Sequence, residues 1–283
     1  MSRLARLTPS LGLLPFLGYL TIFLVIPTIT VVVGAFTEGG RFSLGGIAAL
    51  ADPVTLSTLR TSVVLSAVSA LIGAVFGSLL AYLVVTGSPN SLLRRFVTAM
   101  SGVLAQCGGV MLAFAFIATI GFAGTLTLWL RDHLGIDIYG SGWLFALPGL
   151  ILVYAYFQIP LMVIVFLPAL DGIKPQWREA SVNLGASSWQ YWTQVAFPLL
   201  RPAFLGSTLL LFANAFAAYA TAAALVSQGN PIVPLLIRSG LSSEVLLGHQ
   251  NLAFALAFEM IVVVAIVMGM YALLVRRTSR WLQ

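Results

Sequence analysis

The sequence contains few charged residues and almost no cysteine or lysine. Of its 283 residues only 8% are charged, and Cys107 is the one cysteine. A single cysteine excludes an intrachain disulfide and a cluster of thiolate metal ligands. Lys174 is the only lysine, and it follows Ile173 rather than the glycine of a P-loop, so the sequence has no nucleotide-binding motif of that kind.

Catalytic motifs typical of membrane enzymes are also missing. The sequence has no His-Glu-x-x-His element, no Gly-x-Ser-Gly element and no pair of acids within an apolar segment. His133 and His249 are isolated among loop residues, so we predict neither a metal site nor an enzymatic activity. The net charge is +6, but the basic residues are few and scattered between apolar runs. Nucleic acid is therefore not an expected partner.

Apolar residues make up 60% of the chain, and the mean hydropathy is +1.03. A helix of about 20 apolar residues crosses the hydrocarbon core of a bilayer, and none of the apolar segments shows the alternation of barrel strands. We therefore predict an all-α membrane protein with six transmembrane helices. Their predicted ranges are 11–36, 62–86, 97–120, 143–170, 200–226 and 251–275. The first is too long for a cleaved signal peptide, so we expect it to be retained.

The basic residues predict the orientation of these helices. Ten of the fourteen Lys and Arg residues fall on the side of the N-terminus. Because cytoplasmic loops are enriched in Lys and Arg, both termini are predicted to be cytoplasmic in a bacterial plasma membrane. In the second span Gly73 and Gly77 lie four residues apart, a spacing that lets helix backbones approach closely. Intrachain packing is the expected use of this pair, and a subunit interface is the alternative.

The connection 171–198 between the fourth and fifth spans is predicted to form two short amphipathic helices. Pro175 suits the first turn of a helix, and Gly185 is expected to end it. Ser187 and Gln190 form a capping box for a second helix, which Pro198 is expected to close. The predicted apolar faces are Trp177, Ala180 and Leu184 in the first helix, and Trp189, Trp192 and Ala196 in the second. Such a pair could lie on the membrane or fill a groove on a partner.

The residues Glu179-Ala180-Ser181, with Gly185 and Pro198 downstream, resemble the EAA loop of type I binding-protein-dependent ABC importer permeases. Ser181 departs from the second alanine of that pattern. The resemblance covers 58–275, with weaker features at Ser43-Leu44, Gly140 and Trp143. It implies a core permease domain over 58–275, preceded by a tail, first span and outer loop over 1–57. Residues 276–283 form a cytoplasmic tail.

In that family the loop forms coupling helices that enter a cleft of the ATPase subunit. By resemblance, Glu179 pairs with a basic group there and Gly185 makes the turn. The alternative for Glu179 is a solvated carboxylate on the helix surface, whose contacts contribute little energy. The ATPase-coupling residues so assigned are Trp177, Glu179, Ala180, Ser181, Gly185, Trp189 and Pro198. The implied partners are a second, non-identical permease subunit, two ATP-binding subunits that carry ATP and Mg, an extracytoplasmic binding protein and membrane lipid. This chain is expected to hold no cofactor.

Polar residues within the spans are candidates for a substrate path. Glu259 is the one acid well inside a span, and it either meets a cationic substrate group or lies in helix packing. Asn214 and Thr221 would share a helical face at i and i+7. The full set of candidates is Tyr154, Gln158, Asn214, Tyr219, Thr221 and Glu259. Each uncharged one, taken alone, is more often a bond between helices than a ligand.

The substrate is predicted only by resemblance. Segments 211–221 and 156–160 look more like permeases for polyamines, aminophosphonates, thiamine and ferric iron than like sugar permeases. We therefore expect a polyamine-like or other small charged solute, with a sugar or oligosaccharide as the alternative. An ion-coupled secondary transporter is a more distant alternative, because it leaves the EAA-like loop unexplained.

Overall fold

A computed structural model describes residues 8–87, 91–140, 142–226, 232–242 and 250–279. Six of its helices are long and apolar enough to cross a membrane, which confirms the predicted all-α class and the number of spans. These candidate spans are Leu14–Ala35, Pro53–Thr86, Val110–Leu134, Leu147–Asp171, Ser188–Ala217 and Asn251–Leu274.

Fourteen helices and one short hairpin are defined within the described ranges. The helices are Thr8–Leu20 (α1), Ile26–Ala35 (α2), Gly45–Ala49 (α3), Pro53–Thr86 (α4), Leu92–Gln106 (α5), Val110–Ile120 (α6), Thr125–Leu134 (α7), Leu147–Asp171 (α8), Pro175–Asn183 (α9), Ser188–Tyr191 (α10), Phe197–Ala217 (α11), Ala220–Leu225 (α12), Val233–Ser242 (α13) and Gln250–Ser279 (α14). The hairpin strands are Thr37–Glu38 (β1) and Arg41–Phe42 (β2), paired antiparallel. Wider π-helical turns at Thr21–Val25 and Trp192–Ala196 join α1 to α2 and α10 to α11.

Contacts between residues divide the chain into two compact units. The first comprises 1–56 and 236–262, and the second comprises 57–235 and 263–283. Within the first unit the ring of Phe254 lies against Gly34, where a Cβ atom would come within 2.7 Å of the ring. Phe258 meets Phe36 edge to face with ring centroids 5.3 Å apart. Aromatic residues of α14 therefore pack on the end of α2.

The core of the second unit is built around α8, which packs against α5 and α11 and buries its residues on several sides. Gly77 of α4 lies so close to α8 that a Cβ atom would be 2.5 Å from Cβ of Met162. A Cβ at Gly73 would be 2.6 Å from Cβ of Gln158. The two glycines therefore serve close packing within the chain, as the sequence predicts.

The predicted third span over 97–120 is wrong as a continuous helix. It is divided at Cys107, Gly108 and Gly109 into α5 and α6. Gly109 has φ +79°, a positive value that glycine adopts without steric cost, and it lies just before α6. The apolar segment that could cross a membrane here runs instead over Val110–Leu134, and includes α6 and α7.

The predicted fifth span over 200–226 is also interrupted. α11 ends at Ala217, Ala218 is extended, and α12 begins at Ala220. The hydroxyl of Tyr154 donates a 2.7 Å hydrogen bond to the carbonyl of Ala218, which satisfies a backbone group that the break frees. Both interruptions lie within the second unit, and α6 packs directly against α12.

Candidate functional site

The loop 171–198 begins at an ion pair. Asp171 is the last residue of α8, and its Oδ2 lies 2.5 Å from a guanidinium nitrogen of Arg94 in the first turn of α5. The side chain of Arg94 is 20% exposed and that of Asp171 is 41% exposed. The start of the loop is therefore held to a second helix by a charge-assisted hydrogen bond.

The first of the two predicted loop helices is present as α9. Pro175 is its first residue, where the missing N–H leaves no intrahelical bond unmade. Of the predicted apolar face, Ala180 and Leu184 are exposed and Trp177 is partly buried, whereas Ser181 is buried. The hydroxyl of Ser181 donates to the carbonyl of Arg178 at 2.8 Å, which explains how a polar side chain is tolerated there.

The turn between the loop helices needs glycine at position 185. Gly185 has φ +78°, and its N–H donates to the carbonyl of Val182. The next amide, of Ala186, donates to the carbonyl of Ser181 at 2.9 Å. These bonds close the C-terminus of α9 in the manner typical of a left-handed glycine cap.

The second loop helix starts at the predicted capping box. The hydroxyl of Ser187 accepts from the amide of Gln190, and the side chain of Gln190 accepts from the amide of Ser187 at 2.8 Å. The prediction that Pro198 closes this helix is wrong. α10 continues through the π-helical turn into α11, and Pro198 lies in the first turn of α11, where a missing N–H is tolerated.

The loop exposes apolar and acidic side chains together. Leu184 is 87% exposed and Trp189 is 76% exposed. Glu179 is exposed on α9, on the side away from buried Ser181. Large apolar side chains that remain this exposed beside charged ones are typical of protein interaction sites.

Two candidate path residues hold helices together. Tyr154 and Gln158 are fully buried in α8. The Tyr154 hydroxyl bonds the carbonyl of Ala218, and the Gln158 side-chain amide donates to the carbonyl of Leu211 at 2.7 Å. Both therefore connect α8 to the backbone of the fifth span, which is the alternative role that the sequence left open.

The two helix breaks meet at a small cavity that contains a few polar side chains. The amide of Gly109 donates to the hydroxyl of Thr221 at 2.9 Å, so the break before α6 is joined to α12. Asn214 and Thr221 both line this cavity of about 180 Å³, although the break removes the predicted i, i+7 relation. Gln106 lines it as well. We did not predict Gln106; the adjacent Cys107-Gly108-Gly109 run within an apolar segment was the signal that could have indicated it.

The remaining path candidates are Tyr219 and Glu259. Tyr219 directly precedes α12. Glu259 lies in α14 within the first unit and is partly buried, and its Oε2 has no hydrogen-bond partner among the described residues. In the same described part of the chain, no group of three or more His, Cys, Asp or Glu residues could hold a metal ion.

Comparison with known proteins agrees with this architecture. Residues 73–280 match the family of binding-protein-dependent transport system inner membrane components. The sulfate transport system permease protein CysW of Escherichia coli is 30% identical over 192 residues, 68% of this chain and 62% of CysW. A putative ferric transport system permease protein, FbpB 1 of Haemophilus influenzae, is 26% identical over 201 residues, 69% of this chain and 30% of that protein.

A solved structure shows the same fold. A chain of a bacterial alginate ABC transporter, in complex with an alginate pentasaccharide-bound periplasmic protein, has a TM-score of 0.77 at 19% identity. The match covers 95% of this chain and 94% of that one. The family match includes 208 of the 283 residues, from 73 to 280. The chain belongs to the family of binding-protein-dependent transport system inner membrane components, the non-catalytic permease subunits of ABC importers.

Proposed function

We propose that this chain is one of two permease subunits of an ATP-driven importer, and that the loop 171–198 is the surface on which an ATP-binding subunit docks. A separate extracytoplasmic binding protein delivers a small solute to the path that the permease subunits form. The exposed pair of loop helices carries the proposal, because this chain leaves the large apolar side chains of Leu184 and Trp189 uncovered. Both termini and this loop are then cytoplasmic, and ATP and Mg belong to the partner subunits.

The proposed docking surface is connected to the transmembrane helices at both ends. At its start, Asp171 ends α8 and pairs with Arg94 of α5. At its end, α10 runs through the π-helical turn into α11 without an intervening loop. A displacement of the loop by the ATPase therefore moves α8 and α11 together. The hydrogen bonds from Tyr154 and Gln158 of α8 to the backbone of the fifth span connect the two helices further along.

The cavity at the helix breaks is the proposed point of contact with the solute. Asn214 and Gln106 are exposed and line it, whereas Tyr154 and Gln158 are already bonded to the backbone. Sulfate and ferric iron are the solutes named for the two relatives, and alginate is the one named for the structural neighbour. We propose a small charged solute, with a polyamine-like cation as the prediction from sequence and a sugar or oligosaccharide as the alternative.

The test of docking is the variant Glu179→Gln in the assembled transporter. We expect normal membrane insertion, reduced association with the ATP-binding subunit, and reduced uptake. Asp132→Asn is a matched control, because Asp132 is an exposed acid in α7, outside the loop. A Trp189→Ala variant is tested in the same way. If both variants associate with the ATP-binding subunit and take up solute as the wild type does, the proposal is contradicted.

A second candidate function is ion-coupled transport, which is favoured by Oε2 of Glu259, since no described residue gives this oxygen a hydrogen bond. The two functions differ in their energy source. An importer takes up solute only with ATP and its ATP-binding subunit. Uptake into ATP-free vesicles that is driven by an ion gradient, and is lost in Glu259→Gln, would instead establish the secondary transporter.

A further inference from the structure

A second, larger cavity lies between α4, α8 and α11, away from the helix breaks. Its volume is about 510 Å³. Val75, Leu79 and Phe204 belong to its apolar wall. Val75 and Leu79 are about half exposed in this chain, so the cavity is a groove on the flank of the second unit.

Of the described residues that line this groove, Arg201 is the only charged one. It lies in the second turn of α11, close to the loop 171–198. Among the residues that the structure describes, no carboxylate or other hydrogen-bond partner is recorded for its side chain. A guanidinium next to an apolar groove is best stabilised by an anion that can accept several N–H bonds at once, as a phosphate does.

The groove has polar and aromatic groups at one end and apolar groups at the other. Tyr82 and Trp192 meet edge to face with ring centroids 5.1 Å apart, and both line the groove with Arg201. Tyrosine and tryptophan favour the headgroup level of a bilayer. Along α4 the lining extends from Tyr82 to Val75, about 10 Å at 1.5 Å per residue. An acyl chain attached to a headgroup beside Arg201 fits this arrangement.

A neighbouring groove shows that the charge is not a general feature of such surfaces. That groove has a similar volume of about 480 Å³ and is lined in part by Trp177, Ser207 and Tyr271. None of the described residues that line it is charged. Arg201 therefore distinguishes the groove between α4, α8 and α11, because, of the two grooves, only that one has a described residue that offers a positive charge to a ligand.

We propose that the groove between α4, α8 and α11 binds one anionic phospholipid, whose phosphate contacts Arg201 and whose acyl chain packs against Val75, Leu79 and Phe204. Basic pockets between transmembrane helices are a recurrent means of lipid headgroup recognition. The site does not depend on the transported solute, so its existence and the proposed transport function can fail separately.

The test is native mass spectrometry of the assembled transporter with equimolar phosphatidylglycerol and phosphatidylcholine. We expect preferential phosphatidylglycerol adducts, and a reduction of that preference by about fivefold in Arg201→Gln, which corresponds to about 1 kcal/mol for one basic residue. Arg201→Lys should retain part of the preference. Arg95→Gln is the charge-matched control, because Arg95 is exposed in α5 and lines none of the cavities described.

A second variant tests the groove itself. Ser78→Phe places a ring in the groove and should reduce adducts of both lipids, whereas Thr86→Phe, two turns along α4 and outside the lining, should not. Equal binding of the two lipids by the wild type, or an unchanged preference in Arg201→Gln, would overturn the proposal. So would photocrosslinking from position 78 to the second permease subunit, since a protein would then occupy the groove.

Discussion

The loop 171–198 and the paired helix breaks are both interruptions of apolar helices, but they are stabilised in different ways. The loop is closed by bonds between near neighbours, such as those of Gly185 and the Ser187–Gln190 capping box. The breaks are closed by bonds between residues far apart in sequence, of which the Gly109 amide to Thr221 is one. Local bonds leave the side chains of the loop free to face a partner. Long-range bonds satisfy backbone groups where water is scarce.

The first prediction concerns another contact between residues far apart in sequence, the packing of α4 on α8. Gly77→Leu should give the largest loss of stability, at the upper end of about 1–3 kcal/mol for overpacking. A Cβ alone would lie 2.6 Å from the carbonyl oxygen of Ile159, a backbone atom that cannot move aside cheaply. The measurement is thermal unfolding of the purified protein, together with its yield.

Gly102→Ala is the control for that variant. Gly102 is an exposed glycine of α5 with no heavy atom within 4 Å of an added Cβ. Alanine should therefore stabilise the helix by up to about 1 kcal/mol. A folded, wild-type-like Gly77→Leu protein would show that α4 does not approach α8 as closely as described.

The second prediction concerns the bond that joins the two breaks. Thr221→Val keeps the shape of the side chain but leaves the amide of Gly109 without its acceptor, and should cost about 1–2 kcal/mol. Thr221→Ser retains the hydroxyl and should lose much less stability. Equal unfolding temperatures for the valine and serine variants would mean that this bond does not stabilise the breaks.

The third and smallest effect is expected at the start of the loop. The Arg94–Asp171 pair is partly solvated, so a double-mutant cycle with Arg94→Gln and Asp171→Asn should give a coupling energy below about 1 kcal/mol. This energy should fall as salt is added. A coupling energy of several kcal/mol that does not depend on salt would indicate a buried pair, and the loop would then be anchored more firmly than the exposure of Asp171 suggests.

The sequence predicts what depends on near neighbours. The caps of both loop helices follow from Pro175, Gly185 and the Ser187–Gln190 pair, whose partners lie within a few residues. The number of spans follows from apolar length alone, and six is confirmed. The close approach of α4 also follows from the spacing of Gly73 and Gly77.

What the sequence does not predict depends on contacts between distant segments. Ala218 is part of a strongly apolar run, and its departure from helix is compensated by Tyr154, 64 residues earlier. Pro198 reads as the end of a helix, yet the preceding π-helical turn lets the helix continue. The burial of Ser181 likewise reflects how α9 packs, and is not visible in the spacing of apolar residues.

The most direct test of the central claim is site-specific photocrosslinking in membranes that contain the whole transporter. A photoreactive residue in place of Trp189, which is 76% exposed in the loop, should form an adduct with the ATP-binding subunit. The same residue in place of Phe42, which is 76% exposed in the hairpin and predicted to lie outside the cell, should form none. An ATP-binding subunit adduct at position 42, with none at position 189, would contradict the proposed role of the loop.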